Sequence, residues 1–174
     1  MKIGFFTDAY FPQVNGVVTS VRETVKELRR RGHDIYIITS RYPNYKDDKK
    51  DNVVRLSSVP INRKLNIRLA THFPEKELLD VYKMDFDIIH GHGGGTISLL
   101  GLEIAKIKKI PYIFTYHTLF SKYVHYILKG LIIRPKMIEA LSRIFCNGCD
   151  IVIAPTRKIK EILSSYGVKK PIVV

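Results

Sequence analysis

Residues 3–39 run through an apolar stretch, a polar loop, a helically spaced apolar stripe and a second apolar stretch, and few architectures accept that order. Ile3 to Thr7 is the first stretch, and Val17, Val18, Val21, Val25 and Leu28 then recur on one helical face. The spacing predicts a helix from about Asn15-Gly16 to Gly32. Arg29, Arg30 and Arg31 fall in its last turn, where the helix dipole favours positive charge. Asp34 to Thr39 reads as a second buried strand. Such a β-α-β unit requires parallel strands joined by a right-handed crossover.

The rest of the chain repeats the theme. Strands are predicted at Val53–Ser57, Asp87–His90, Tyr112–Tyr116, Asp150–Ala154 and Ile172–Val174, with helical patterns at Ile97–Lys108 and Lys136–Phe145 between them. Arg41 to Asn52 is a polar loop carrying Pro43, and Asn62 to Met84 reads as helical only after Pro74. Seven strands alternating with helices predict a doubly wound, Rossmann-like α/β sheet. At 174 residues the chain suits one domain, 1–174, without repeat or linker. It stops inside a strand, so either an isolated domain or a piece trimmed from a larger protein is expected.

Lys and Arg number 29 against 16 Asp and Glu, giving a formal charge of +13 and favouring anionic partners. Phosphates, anionic lipid headgroups and nucleic acid all satisfy that condition, and charge alone does not choose. No DNA-recognition helix or RNA-binding signature appears, so nucleic acid is not expected, although a basic nucleic-acid-binding module is the rival of another class. The N-terminus lacks an export signal and no run approaches the roughly 20 apolar residues of a membrane span. Cys146 and Cys149 form neither a disulfide framework nor a full zinc ligand set. A reduced, cytoplasmic location is expected, with membrane contact from the side.

Three loops follow predicted strands and precede helices. In Asp8 to Gly16, backbone N–H groups beside Gly16 can approach an anion at a helix N-terminus, although Gly16 also suits a tight turn. The loop has no G-x-G-x-x-G, which disfavours a bound dinucleotide. His90-Gly91-His92-Gly93-Gly94-Gly95 offers two histidines, but no nearby carboxylate completes a metal set, and a polar cleft wall with His90 partly buried is expected instead. Thr115 to Tyr126 gathers Tyr, His, Thr and Lys, the side chains of a sugar-binding cleft, around His117. No paired carboxylates, G-x-S-x-G or phosphate-binding loop supports hydrolase or NTPase chemistry.

Between Phe120 and Phe145, Lys122, Lys129, Arg134, Lys136 and Arg143 alternate with many apolar residues against the single acid Glu139. Basic amphipathic segments of this kind dock on anionic bilayers, while an ordinary core-facing helix with a solvated basic face is the alternative.

Taken in order, Met1 to Pro12 with Asn15-Gly16-Val17, the Arg31-Gly32-His33-Asp34 turn, Asp87-Ile88-Ile89-His90-Gly91-His92, Ile110-Pro111 and Thr115-Tyr116-His117-Thr118 resemble the N-terminal half of family 4 retaining glycosyltransferases. That family has the GT-B fold, two Rossmann-like domains facing across a cleft. Thr115 to Thr118 followed by Tyr123 and His125-Tyr126 is most similar to the diacylglycerol glucosyltransferases and their phosphatidylinositol mannosyltransferase relatives. The resemblance implies hexose transfer from a nucleotide sugar such as UDP-glucose to a glycerolipid, with a soluble acceptor as the alternative, and with no metal or other cofactor.

The resemblance further implies that His117 contacts the transferred sugar and that Asn15 and Gly16 approach the donor diphosphate. The acceptor side is then expected from Asp8, Tyr10, His90, His92, Thr118, Lys122, Tyr123 and His125, and the membrane-facing side from Lys129, Arg134, Lys136 and Arg143. The E-x7-E motif and most donor contacts belong to a C-terminal domain outside these residues, so this domain alone is expected to be inactive. In the family a glycine pair often stands where Asn15-Gly16 stands here.

Overall fold

The structure, a computed structural model, describes residues 1–48, 51–62, 67–71, 73–117 and 135–174. In chain order the elements are β1 (Lys2–Thr7), α1 (Gly16–Arg30), β2 (Asp34–Ser40), β3 (Val53–Leu56), β4 (Ser58–Asn62), β5 (Ile67–Ala70), α2 (Lys76–Lys83), β6 (Ile88–His92), α3 (Thr96–Lys108), β7 (Tyr112–Thr115), α4 (Pro135–Gly148), β8 (Ile151–Ile153), α5 (Arg157–Ser165) and β9 (Ile172–Val173). Seven strands form a parallel sheet in the order β3-β2-β1-β6-β7-β8-β9. These are the seven strands expected from the sequence.

Alternation along the strands sorts the core. Ile3 and Phe5 of β1 and Ile35 and Ile37 of β2 pack with Val21 and Val25 of α1 on one face. Phe6 and Ile38 point the other way, into a larger cluster with Ile89 of β6 and with Ile97, Leu100 and Ile104 of α3. Burying a valine contributes about 1.5–3 kcal/mol and an N-cap about 1 kcal/mol, so Val18, Val21 and Val25 hold α1 while Asn15 sets where it starts. The helix ends at Arg30, and Gly32 at φ +82° supplies the left-handed turn into β2.

Three elements differ from expectation. β4 and β5 form a separate antiparallel pair, with a register shift between Pro60 and Asn62, where the sequence offered no strand pattern. A proline inside a short, basic run demotes it as a strand, and only an unpaired edge tolerates it. The helix α5 was not expected; Thr156 caps it by accepting a bond from the Ile159 amide, and Leu163 is its buried anchor.

Candidate functional site

The sheet reverses direction of growth between β1 and β6, where β2 continues to one side and β7 to the other. Ligands in open α/β sheets bind outside the carboxyl ends of the strands at that point. Thr7 and His92 are register partners there, and the loops 8–15 and 93–95 leave side by side.

Asp8 and Asn15 build this corner from the backbone outward. Asp8 accepts bonds from the amides of Gly95 and Ile97, both at 2.9 Å, and so caps α3 from another loop. A negative charge belongs at that helix end. Gly95 is required by this contact, because a Cβ there would lie 2.5 Å from the Asp8 carboxyl carbon. Asn15 accepts from the Val18 amide at 3.0 Å and donates to Gln13 at 3.1 Å. At Gly16 a Cβ would meet nothing within 4 Å. No packing among the described residues demands glycine at Gly16, and the first turn of α1 carries no acidic residue.

Expected as ligand contacts, Asp8 and Asn15 thus spend side-chain oxygens on helix caps. Tyr10 is also placed inward: 6% exposed, it packs in the α1-side cluster with its ring edge-on to Phe11, and burial pushes its phenol pKa up.

The three histidines stack into a column. His90 and His92 lie on the same face of β6 as Phe5 of β1, their ring centroids 4.1 Å apart. His90 Nε2 lies 2.8 Å from Thr115 Oγ1, and His92 Nδ1 lies 2.8 Å from His117 Nε2. His92 is 1% exposed, whereas His117, just past β7, is only partly buried. His90 and His92 therefore stand behind His117, at 9% and 1% exposed. Burial dominates the electrostatics: it lowers His90 to about 3 and His117 to about 4, and holds His92 well below its ordinary value. All three rings are neutral near pH 7. No group of three or more metal-ligating side chains occurs among the described residues. Cys146 and Cys149 are buried thiols, with Cys146 pushed up to about 12 by burial, which makes them poor ligands and nucleophiles.

Arg55 was missed in the sequence reading. It is buried on β3, pairs with Asp47, and donates to the carbonyls of Ser40 at 2.8 Å and Phe11 at 2.7 Å. One side chain thus ties loop 8–15 to the ends of β2 and β3. The available signal was an arginine in an otherwise apolar strand, Val53-Val54-Arg55-Leu56. Of the remaining expected site residues, Thr118, Lys122, Tyr123, His125, Lys129 and Arg134 lie outside the described residues. Lys136 and Arg143 are exposed on α4.

Residues 14–174 match the model of Glycosyltransferase Family 4. The chain belongs to that family. Among family 4 relatives, the alpha-monoglucosyldiacylglycerol synthase of Streptococcus pneumoniae is 41% identical over 169 residues, covering 97% of this chain and 38% of the relative. The synthase of the same name from Acholeplasma laidlawii is 33% identical, covering 92% of this chain and 42% of the relative. The chain thus spans about two fifths of these relatives. Sucrose-phosphate synthase from Thermosynechococcus elongatus shares the fold at a TM-score of 0.62 and 16% identity, over 99% of this chain and 47% of that one. Anabaena Alr3699/HepE, solved in complex with UDP-glucose, superimposes at 0.61 with 13% identity, over 99% and 43%. The seven-stranded sheet of this chain is Rossmann-like, as in these GT-B neighbours, and its switch point is the corner bordered by Asp8, Asn15 and His117.

Proposed function

We propose that this chain is the acceptor-side domain of a retaining hexosyltransferase that moves a hexose from a nucleotide sugar, UDP-glucose or a close analogue, to a glycerolipid such as diacylglycerol. The observation that carries the reading is 41% identity across nearly the whole chain to an alpha-monoglucosyldiacylglycerol synthase. The site's chemistry supports it. An acceptor hydroxyl oxygen bonds to the anomeric carbon, the bond from that carbon to the diphosphate breaks, and the nucleoside diphosphate leaves with the electron pair. The hydroxyl proton passes to the departing phosphate oxygen on the same face. Without a Cβ, Gly16 leaves room beside the N-terminus of α1 for the diphosphate to approach. His117, neutral at pH 7, hydrogen-bonds the transferring sugar without opposing the positive charge that develops on its ring.

Peripheral attachment to an anionic membrane is part of the proposal. Ile138, Phe145 and Cys146 turn α4's inner face to the core, while Met137, Leu141 and Ile144 are 51%, 55% and 67% exposed beside Lys136 and Arg143. A solvated helix face does not need three large apolar side chains, and an interfacial one does. Among the described residues no helix is long and apolar enough to cross a membrane.

The test is hexose transfer by the full-length protein, with UDP-glucose and GDP-mannose offered against diacylglycerol in phosphatidylglycerol vesicles and against soluble sugars. Transfer to diacylglycerol is expected, and His117→Ala lowers turnover on the order of 10²-fold with stability and donor affinity nearly intact. Transfer only to soluble acceptors overturns the lipid reading. Wild-type turnover in His117→Ala removes His117 from the mechanism.

A further inference from the structure

Behind His117 stands a second imidazole that meets no solvent. His92 places Nδ1 2.8 Å from His117 Nε2, with the rings stacked at 25° and their centroids 5.1 Å apart. Its other nitrogen, Nε2, is buried with no hydrogen-bond partner among the described residues. Leaving a polar atom unpaired in the interior is costly, a penalty that a leucine in the same space avoids. The observation asks what Nδ1 does that offsets it.

We infer that His92 is a positioning residue: it fixes the tautomer of His117 so that His117 presents an Nδ1–H donor to an oxygen of the bound ligand. The inference rests on the reading of His117 given above. Two neutral imidazoles sharing one hydrogen bond need one donor and one acceptor nitrogen. With Nε2 of His92 unpaired, the one tautomer that leaves no buried N–H without an acceptor carries the His92 proton on Nδ1, which donates to His117 Nε2. His117 Nε2 then accepts, and the proton of His117 is forced onto Nδ1. That atom has no hydrogen-bond partner among the described residues.

The assignment has a chemical consequence. With a proton on Nδ1, His117 donates to a sugar hydroxyl or phosphate oxygen and is not the base that removes the acceptor's hydroxyl proton. Deprotonation is left to the departing phosphate. In the opposite tautomer, His92 carries Nε2–H and His117 Nδ1 is a bare base.

Two readouts separate these cases. In the full-length protein labelled with ¹⁵N-histidine, the ring shifts of His117 report its tautomer directly, with assignment by single histidine replacements. Nδ1–H is expected in the wild type and in His92→Asn, whose side-chain amide replaces the Nδ1 donor, and loss of the single tautomer is expected in His92→Leu. In hexose transfer, His92→Leu lowers kcat about tenfold with the donor KM within twofold, His92→Asn recovers to within about threefold, and His92→Leu adds no further loss to His117→Ala. An Nε2–H tautomer in the wild type, equal losses in the Leu and Asn variants, or multiplicative losses in the double variant would overturn the inference. If His92→Leu does not fold, the wild-type and His92→Asn tautomers still decide it. Failure of the functional reading is distinguishable, because it appears as absence of transfer by the wild type while the tautomer is still read from the spectrum.

Discussion

Asp8 and Gly16 border the same corner, yet the structure gives them opposite work. Both Asp8 oxygens are spent on α3, so Asp8→Ala is expected to lower unfolding free energy by about 1–2 kcal/mol, the cost of a lost cap. Gly16 faces open space, so Gly16→Val is expected to change stability by less than about 0.5 kcal/mol. In the full-length protein the valine should raise the donor KM at least about tenfold, because its branches stand where the diphosphate approaches the amides. Urea unfolding of both variants and donor titration of the second check the pair. A destabilised Gly16→Val with unchanged donor KM would make Gly16 a turn residue. The contrast also marks what sequence discloses at this scale. Residue types announced that Asp8, Asn15, His90, His92 and His117 cluster at strand ends, but not which atoms face inward, because a cap and a ligand contact use the same oxygen. His92 shows the same ambiguity: its burial follows from β6 running two residues past the predicted end at His90.

At the scale of elements, legibility followed hydrophobic pattern. The main-sheet strands carry apolar runs or alternation strong enough to read singly, and α1 and α3 carry clean helical stripes. β4 with Pro60 and exposed Val59 has neither, since a two-stranded edge needs little burial. The α4 helix was legible as amphipathic but not as doubly so. Its inner face is held by Ile138, Ser142 and Phe145, and Ser142 Oγ lies 2.8 Å from Tyr116 Oη, which anchors the helix behind β7. On the outer face Met137, Leu141 and Ile144 are exposed, the face that the proposal turns toward a bilayer. Phosphatidylglycerol vesicles are therefore expected to bind the chain, less tightly as salt rises. Lys136→Glu with Arg143→Glu should weaken binding by at least about 30-fold, at about 1 kcal/mol for each lost cation. Replacing Met137, Leu141 and Ile144 by Gln should leave the salt dependence and remove the residual binding at high salt. Binding indifferent to both sets would detach α4 from the membrane.

For the molecule as a whole, a column of neutral histidines at the centre of the sheet couples stability to pH with a definite sign. Burial lowers His90 to about 3, His117 to about 4, and His92 well below its ordinary value, whereas each ring in the unfolded chain takes up a proton near pH 6.5. Below pH 6.5 the unfolded state thus binds more protons than the native state, and stability rises with pH across that window. The contribution is complete above pH 6.5 and is lost as pH falls toward 4, by up to about 1.4 kcal/mol per pH unit for each ring. With all three titrating, that approaches about 4 kcal/mol per pH unit, large against a typical total of 5–15 kcal/mol. Glu27, held at about 2 by bonds from Arg30 and Arg31, differs from its unfolded state only below about pH 5. Urea midpoints at pH 7.5, 6.5 and 5.5 are expected to fall steeply only in the last interval, and the slope there should be shallower by about one histidine's share in His92→Leu. A midpoint flat from pH 7.5 to 5.5 would mean that the rings are charged or solvated in the native state, and the neutral column behind His117 would not exist.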